Sequence, residues 1–253
     1  MNAGAATYTR RSINSCDCIA QKEQMLDKAS KSLSPECERL PVRVWDRSVR
    51  IFHWLIVGLV IAAYVTSRYN WMTWHVRLGQ LTLTLLIFRI LLGFWGSETA
   101  LFRRFLVRPS NVLAYIRRFF SHAGPTYVGH TPAGGWMVIT LILVLSMQVL
   151  TGLYAYNDVA RVGPIFGIFS GDTSNMLVSV HGLLFTILMT FVAIHIAVIA
   201  LYRIVKRQDL ILPMTTGIQY LPPGFRKPRM ISASRALSLF LCSVIIATLI
   251  SQL

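Results

Sequence analysis

Four histidines of this 253-residue chain lie within or at the edge of long uncharged hydrophobic stretches: His53, His75, His181 and His195. An ionisable side chain is costly inside a membrane-spanning helix, so a histidine there marks a candidate functional site. Neutral imidazole is a common metal ligand, and it can also carry protons. For any one of the four alone, a core histidine bonded to a backbone carbonyl is an equally good interpretation.

The spacing of the last two histidines favours a shared role. His181 and His195 are the ends of the segment HGLLFTILMTFVAIH, fourteen residues apart. Fourteen helical residues rise about 21 Å and rotate about 1,400°, which is about 40° short of four full turns. Both imidazoles are therefore expected on one face of one helix, with one near each membrane surface.

The elements that must position these histidines are hydrophobic segments of membrane-spanning length. The chain is 54% hydrophobic and 14% charged, whereas an average soluble domain is about 25% charged. Charges are nearly absent from five segments, each long enough to cross an apolar layer of about 30 Å: 51–67, 78–97, 135–156, 176–202 and 236–253. We predict an all-α membrane protein, a four-helix transmembrane bundle with a fifth, C-terminal transmembrane helix.

The distribution of the basic residues predicts the orientation of these helices. The net charge is +15, and the Lys and Arg counts outside the hydrophobic segments alternate as 9, 2, 5, 1 and 7 along the chain. Cytoplasmic segments carry the excess of Lys and Arg, so the N-terminus, 98–134 and 203–235 are expected in the cytoplasm. The positive charge then reflects topology and contact with membrane lipid headgroups, and we expect no nucleic-acid partner.

This topology sorts the four histidines into two pairs at two depths. His53 and His195 fall near the cytoplasmic side, while His75 and His181 fall near the outer side. Paired neutral imidazoles between the helices of a bundle suit six-coordinate haem iron, with one axial nitrogen on each face. The expected cofactors are therefore two haems, with the iron of each as the metal.

Two other uses of the histidines are less consistent with the spacing. A zinc site needs three or four ligands at one point, and the two pairs are separated by about 20 Å. A proton relay needs polar groups between its histidines, and the fourth segment offers only Thr186 and Thr190 there.

Arg89 and Gln148 are the main polar residues left inside the segments. Arg89 follows His75 by fourteen residues, so it shares that face and reaches the level of the inner pair. It could bind a haem propionate or extend to the inner headgroups. Gln148 could bond a neighbouring helix, which we favour, or a cofactor edge. An interfacial aromatic belt accounts for the tryptophans Trp71, Trp74, Trp95 and Trp136.

The two ends of the chain lie outside the four-helix unit. Residues 1–41 have the composition of a disordered cytoplasmic tail, and 218–253 form a basic cytoplasmic linker followed by the fifth helix. Cys16, Cys18 and Cys37 lie in the tail, where a reducing compartment disfavours disulfides. A soft-metal site there is the minor alternative, and no C-x-x-C-H motif for covalent haem is present.

Five motifs carry a resemblance to a known family. The motifs are RVWDRSVRIFHW, HVRLGQLTLTLLIFRILLGFWGS, GHTPAGGWMV, LTGLYA and LILPMTTG. In this order, over about 42–217, the chain is similar to the bacterial cytochrome b561 family, and in particular to the branch of the nickel–iron hydrogenase cytochrome b subunits. The resemblance implies two non-covalent b-type haems whose axial ligands are His53, His75, His181 and His195. It also implies electron transfer across the cytoplasmic membrane, usually with a quinone.

The resemblance also bears on His130, in the GHTP motif at the cytoplasmic start of the third segment. His130 is expected either to contact a haem propionate or quinone, or to shape the helix entry with Pro132 and Gly134. His122 matches no motif, and we interpret it as a surface residue.

We therefore expect a multi-pass protein of the bacterial inner membrane with a cytoplasmic N-terminus. Its function would be respiratory electron transport between the quinone pool and an outer redox partner, as the electron-transfer subunit of a quinone-linked oxidoreductase. The partner could be hydrogenase-like, a molybdoenzyme or a c-type cytochrome, docking on the connection 157–175. One alternative is a stand-alone quinone-linked oxidase of a small reductant such as superoxide. The other is a haem-free membrane anchor or transporter.

Overall fold

The computed structural model describes residues 39–119, 127–154 and 171–252. Five long helices account for most of this part of the chain: α1 (Arg47–Arg68), α2 (Met72–Trp95), α5 (Pro132–Tyr154), α6 (Gly171–Val205) and α8 (Ala233–Gln252). Three short helices connect them: α3 (Phe102–Phe105), α4 (Pro109–Arg117) and α7 (Ile211–Thr216). One two-stranded sheet pairs β1 (Leu40–Arg43) with β2 (Ile218–Leu221).

The long helices confirm the five hydrophobic segments predicted from the sequence. Each is long and apolar enough to cross a membrane, and each extends past its predicted segment at the N-terminal end. The cysteine-containing tail up to residue 38, His122 and most of the connection 157–175 lie outside the described residues.

Helix α2 lies at the centre of the packing. It packs against α1, α5 and α8, while α5 packs against α6. Their shared core includes Leu83 and Leu86 of α2, Leu145 of α5 and Leu188 of α6. The fifth helix belongs to the same compact unit, Pro41–Leu221 with Phe225–Leu253. Residues Arg39, Leu40 and Pro222–Gly224 fall in a separate small unit.

One end of the bundle is built on the residues that precede α1. The Asp46 carboxylate caps α1, because its Oδ1 accepts a hydrogen bond of 2.8 Å from the Val49 amide. Its other oxygen accepts a hydrogen bond from the Ser97 hydroxyl just after α2. The Thr99 hydroxyl donates to the Val44 carbonyl at 2.7 Å. We call this end, with residues 97–108 and 225–235, the arginine-rich end.

The turn after α7 also holds the start of α1. Gly217 ends α7 at φ +86°, and its carbonyl accepts a hydrogen bond of 2.8 Å from the Val44 amide. The Arg50 guanidinium donates to the Thr215 carbonyl. The motifs RVWDRSVRIFHW and LILPMTTG are therefore in direct contact, and together they orient the helix that carries His53.

We predict that Gly217→Ala destabilises the protein more than Gly224→Ala does. Both glycines have positive φ, so both alanines cost about 1–2 kcal/mol. Only at position 217 would the new Cβ also lie 2.8 Å from the Trp45 carbonyl oxygen, whereas nothing lies within 4 Å of it at position 224. Thermal unfolding should give Gly217→Ala a Tm lower by at least about 3 °C than that of Gly224→Ala. Equal Tm values would contradict the role assigned to the Trp45 contact.

Candidate functional site

Two of the predicted histidines face each other across a gap between α2 and α6. The ring centroids of His75 and His181 are 6.2 Å apart, and the ring planes are inclined at 83°. Two imidazoles on opposite sides of one metal ion, each with a nitrogen–metal bond of about 2 Å, have their centroids about 6 Å apart. The two rings therefore have the separation expected of two histidine ligands of one metal ion.

Hydrogen bonds select the nitrogen that each ring offers. His75 Nδ1 lies 2.8 Å from the Ala63 carbonyl oxygen, and His181 Nδ1 lies 2.9 Å from that of Gln148. A carbonyl oxygen only accepts hydrogen bonds, so each Nδ1 carries the proton. Each neutral ring then has its free lone pair on Nε2, the arrangement common among metal-ligating histidines.

Gln148 contacts the same nitrogen that His181 would offer to a metal. Its side-chain Nε2 lies 3.0 Å from His181 Nε2 and donates to that lone pair. Its Oε1 is buried and has no hydrogen-bond partner among the described residues. Gln148 thus bonds a neighbouring helix, the option that the sequence favoured, and its partner is a candidate ligand.

A cavity of 480 Å³ opens beside the two rings. It is lined by four helices, and three of its lining residues are glycines, Gly79, Gly152 and Gly182. A Cβ added at Gly79 or Gly182 would have nothing within 4 Å, so both positions border open space. At Gly152 an added Cβ would lie 3.0 Å from His181 Cε1. These glycines leave room for a flat group beside the rings.

The rest of the cavity wall is mostly apolar, with Ser67, Gln80 and Thr82 as uncharged polar members and one cation. Tyr64 of α1 stacks on Phe185 of α6 with centroids 5.4 Å apart and planes at 5°. The cation is Arg68, which is exposed and is one of the lining residues. Two imidazoles, an apolar wall and a cation fit a haem, which is flat, mostly apolar and anionic at one edge. The sequence analysis did not identify these glycines or Arg68 as part of the site. A usable signal was present, because Gly79 follows His75 by four residues and Gly182 directly follows His181.

The second pair lies toward the arginine-rich end. Helix α6 is continuous from Gly171 to Val205, so His195 keeps the face of His181 about 21 Å away. His53 of α1 has His195 as an electrostatic neighbour. Two buried nitrogens near this position, His53 Nδ1 and Arg50 Nε, have no hydrogen-bond partner among the described residues. Unpaired buried polar atoms call for a partner such as a bound group or water.

Arg89 and His130 lie at the arginine-rich end, and neither lines the cavity beside His75. Arg89 is 3% exposed, and its guanidinium donates to the Ala100 carbonyl at 3.4 Å. His130 packs between Trp45 and Phe105, with centroid distances of 4.6 Å and 4.4 Å. Arg89 does not extend to the surface, and His130 Nδ1 is buried with no hydrogen-bond partner among the described residues. Their roles at a propionate or quinone stay predictions.

Comparison with known proteins gives one family and one relative. The family model described as prokaryotic cytochrome b561 matches residues 44–217. The relative is a protein of Rhizobium leguminosarum bv. viciae described as a probable Ni/Fe-hydrogenase B-type cytochrome subunit. It is 24% identical over 217 residues, which cover 71% of this chain and 89% of the relative. No solved structure matches the chain.

We predict that His130 makes the protein less stable in acid. Burial and then the Arg89 guanidinium lower the pKa of His130 from 6.5 to about 3, against a hydrogen bond to the Thr99 backbone that raises it. Between these two values the unfolded chain binds a proton that the folded chain does not, so stability falls as the pH falls. Between about pH 7 and about pH 5, the Tm of the wild type should fall by more than the Tm of His130→Gln. An identical loss in both proteins would contradict this origin.

Proposed function

Because the chain belongs to the prokaryotic cytochrome b561 family, whose model matches residues 44–217, it is a membrane b-type cytochrome of electron transfer, and we propose that it holds two haems. It would carry electrons across the bacterial cytoplasmic membrane between a redox partner protein and quinone. The observation that carries the proposal is the facing pair His75 and His181, with centroids 6.2 Å apart beside a cavity.

The outer haem would be held by His75 and His181. Both rings already have Nδ1 bonded to a backbone carbonyl, so coordination through Nε2 needs no change of tautomer. Gln148 would give up its bond to His181 Nε2, and its amide would remain beside the ring. Gly79 and Gly182 would leave space for the macrocycle, and Arg68 could bind a propionate.

The inner haem would be held by His53 and His195. Support comes from the fourteen-residue spacing on the continuous α6 and from the unpaired buried nitrogens of His53 and Arg50. Arg50 precedes His53 by three residues, so it shares a helix face with that ligand. Arg50 is therefore a candidate for a propionate contact, in addition to Arg89.

When bound, each haem iron supplies reversible one-electron exchange between its ferric and ferrous states. His75 and His181 would hold the iron of the outer haem, and Tyr64 and Phe185 would shield part of that haem from water. We propose that the outer pair exchanges electrons with the redox partner and that the inner pair exchanges them with quinone. The name of the Rhizobium relative supports a hydrogenase-like partner.

We predict two haems per chain, and we expect substitution of either histidine of a pair to remove the haem held by that pair. His53→Ala and His195→Ala should each leave one haem, the same one, because either substitution removes an axial ligand of the inner haem. His75→Ala and His181→Ala should each remove the outer haem and leave the inner one. Pyridine-haemochrome stoichiometry and the reduced α-bands measure this outcome. His122→Gln is the control and should keep both haems, since His122 belongs to no motif of the family resemblance.

Two results would contradict this assignment. If His53→Ala and His195→Ala removed spectrally different haems, the pairing would be wrong. If the wild-type protein, expressed with haem available, showed no b-type α-band after dithionite reduction, the di-haem proposal itself would fail.

We also predict that Arg68 tunes the outer haem. A nearby cation favours the ferrous state, so Arg68→Gln should lower one of the two midpoint potentials by roughly 20–40 mV. Arg77→Gln is the matched control, because the Arg77 guanidinium lies over the Trp74 ring at 5.1 Å and does not line the cavity. A potentiometric titration in which both variants match the wild type would exclude Arg68 as a propionate partner.

A further inference from the structure

A second, larger cavity lies at the arginine-rich end, between α2 and α8. Its volume is 1190 Å³, above the roughly 300–1,000 Å³ typical of small-molecule sites. Its α8 side lies beyond residue 217, where the family match ends. Phe88 of α2 and Phe240 of α8 hold the two helices together with ring centroids 5.6 Å apart.

The lining of this cavity changes from apolar to basic along the bundle axis. Within the helices it is formed by side chains such as Phe94 and Trp95 of α2 and Leu239 of α8. Beyond the helix ends, in residues 97–108 and around the start of α8, it is formed by five arginines: Arg103, Arg104, Arg226, Arg229 and Arg235. An apolar wall continued by a cluster of cations suits an amphiphile with an anionic head.

Glu98 is the single carboxylate among the lining residues. It forms an ion pair of 2.9 Å with Arg104 and accepts a hydrogen bond of 3.1 Å from the Arg229 amide. That amide, then the charges of Arg104, Arg226 and Arg229, lower the pKa of Glu98. One carboxylate cannot neutralise five guanidinium groups, so the cavity has room and charge for a further anion.

A backbone hydrogen bond joins the two connections that carry most of these arginines. The Glu98 amide donates to the Arg229 carbonyl at 2.9 Å, which joins the connection after α2 to the connection before α8. The same cavity is also lined by three arginines with exposed side chains, Arg103, Arg226 and Arg235. Preformed clusters of this kind between helices, at the level of the headgroups, bind phosphate headgroups of anionic lipids.

We propose that this cavity is a binding site for an anionic phospholipid of the adjacent leaflet. The arginines would bind the phosphate, since guanidinium groups bind phosphate oxygens in pairs. An acyl chain would lie along Phe94, Trp95 and Leu239, between α2 and α8. The lipid would thereby fasten the fifth helix to the four-helix unit, and this role does not depend on the haem assignments.

The direct test measures lipid binding to the haem-loaded full chain in a neutral detergent. The pocket variant is Arg103→Gln, Arg226→Gln and Arg235→Gln together, which leaves Arg104, Arg229 and Glu98 in place. The control variant carries three substitutions with the same loss of charge, at exposed arginines of α4 and its ends that do not line the cavity: Arg108→Gln, Arg117→Gln and Arg118→Gln.

Phosphatidylglycerol should raise the Tm of the wild type and of the control variant, and phosphatidylcholine should not. In the pocket variant, the phosphatidylglycerol concentration that gives half of the full Tm rise should increase. We expect about a fivefold increase for each arginine removed, roughly a hundredfold in all. Equal midpoints in the pocket and control variants would overturn the proposal. An equal Tm rise with inorganic phosphate alone would overturn the lipid assignment and leave a free-phosphate site.

Cys242 provides a second readout that needs no arginine variant. Its side chain is exposed and free and lines the same cavity. In a chain with Cys16, Cys18 and Cys37 replaced by Ser, phosphatidylglycerol should slow maleimide labelling of Cys242 several-fold, while inorganic phosphate should leave the rate unchanged. A labelling rate that is the same in phosphatidylglycerol and in phosphatidylcholine would contradict occupancy of the cavity.

Discussion

The rotation of one unbroken helix constrains the rest of this structure. Helix α6 runs from Gly171 to Val205, and fourteen residues of it return His195 to the face of His181 about 21 Å away. On our proposal, two haem sites would therefore lie at two depths along a single face of α6. The other helices must bring one histidine to each level, and α2 does so at His75 while α1 does so at His53. A break or bulge in α6 would put the two histidines on different faces.

The proposed outer site has both of its histidine rings held by hydrogen bonds to neighbouring helices. Backbone carbonyls of Ala63 and Gln148 hold the two rings, and these carbonyls belong to α1 and α5, not to the helices that carry the histidines. Gly152 allows α5 to approach the His181 ring, since a Cβ there would lie 3.0 Å from Cε1. All four helices of the unit thus contribute to the arrangement of His75 and His181. Such preorganisation reduces the cost of ordering the ligands when the cofactor binds.

Some of this could be predicted from the sequence because it depends on local periodicity. The five spans follow from segment length and hydropathy, and the shared face of His181 and His195 follows from helix geometry. The acceptors of the Nδ1 protons could not be predicted, because they depend on how α1 and α5 cross their neighbours. The same holds for the contact of Gly152 with His181 and for the pairing of β1 with β2, whose four-residue strands carry too short a pattern. The arginine cavity needed the packing of α8 on α2, which hydropathy does not encode.

The inclination of the His75 and His181 rings gives the most direct test of haem ligation by this pair. Perpendicular axial imidazoles give ferric haem a highly anisotropic low-spin electron paramagnetic resonance signal, and the planes of His75 and His181 are inclined at 83°. The measurement is the spectrum of oxidised His53→Ala protein, in which only the outer haem should remain. A single highly anisotropic low-spin signal is the predicted result. A high-spin ferric signal would contradict axial ligation of one iron by both His75 and His181.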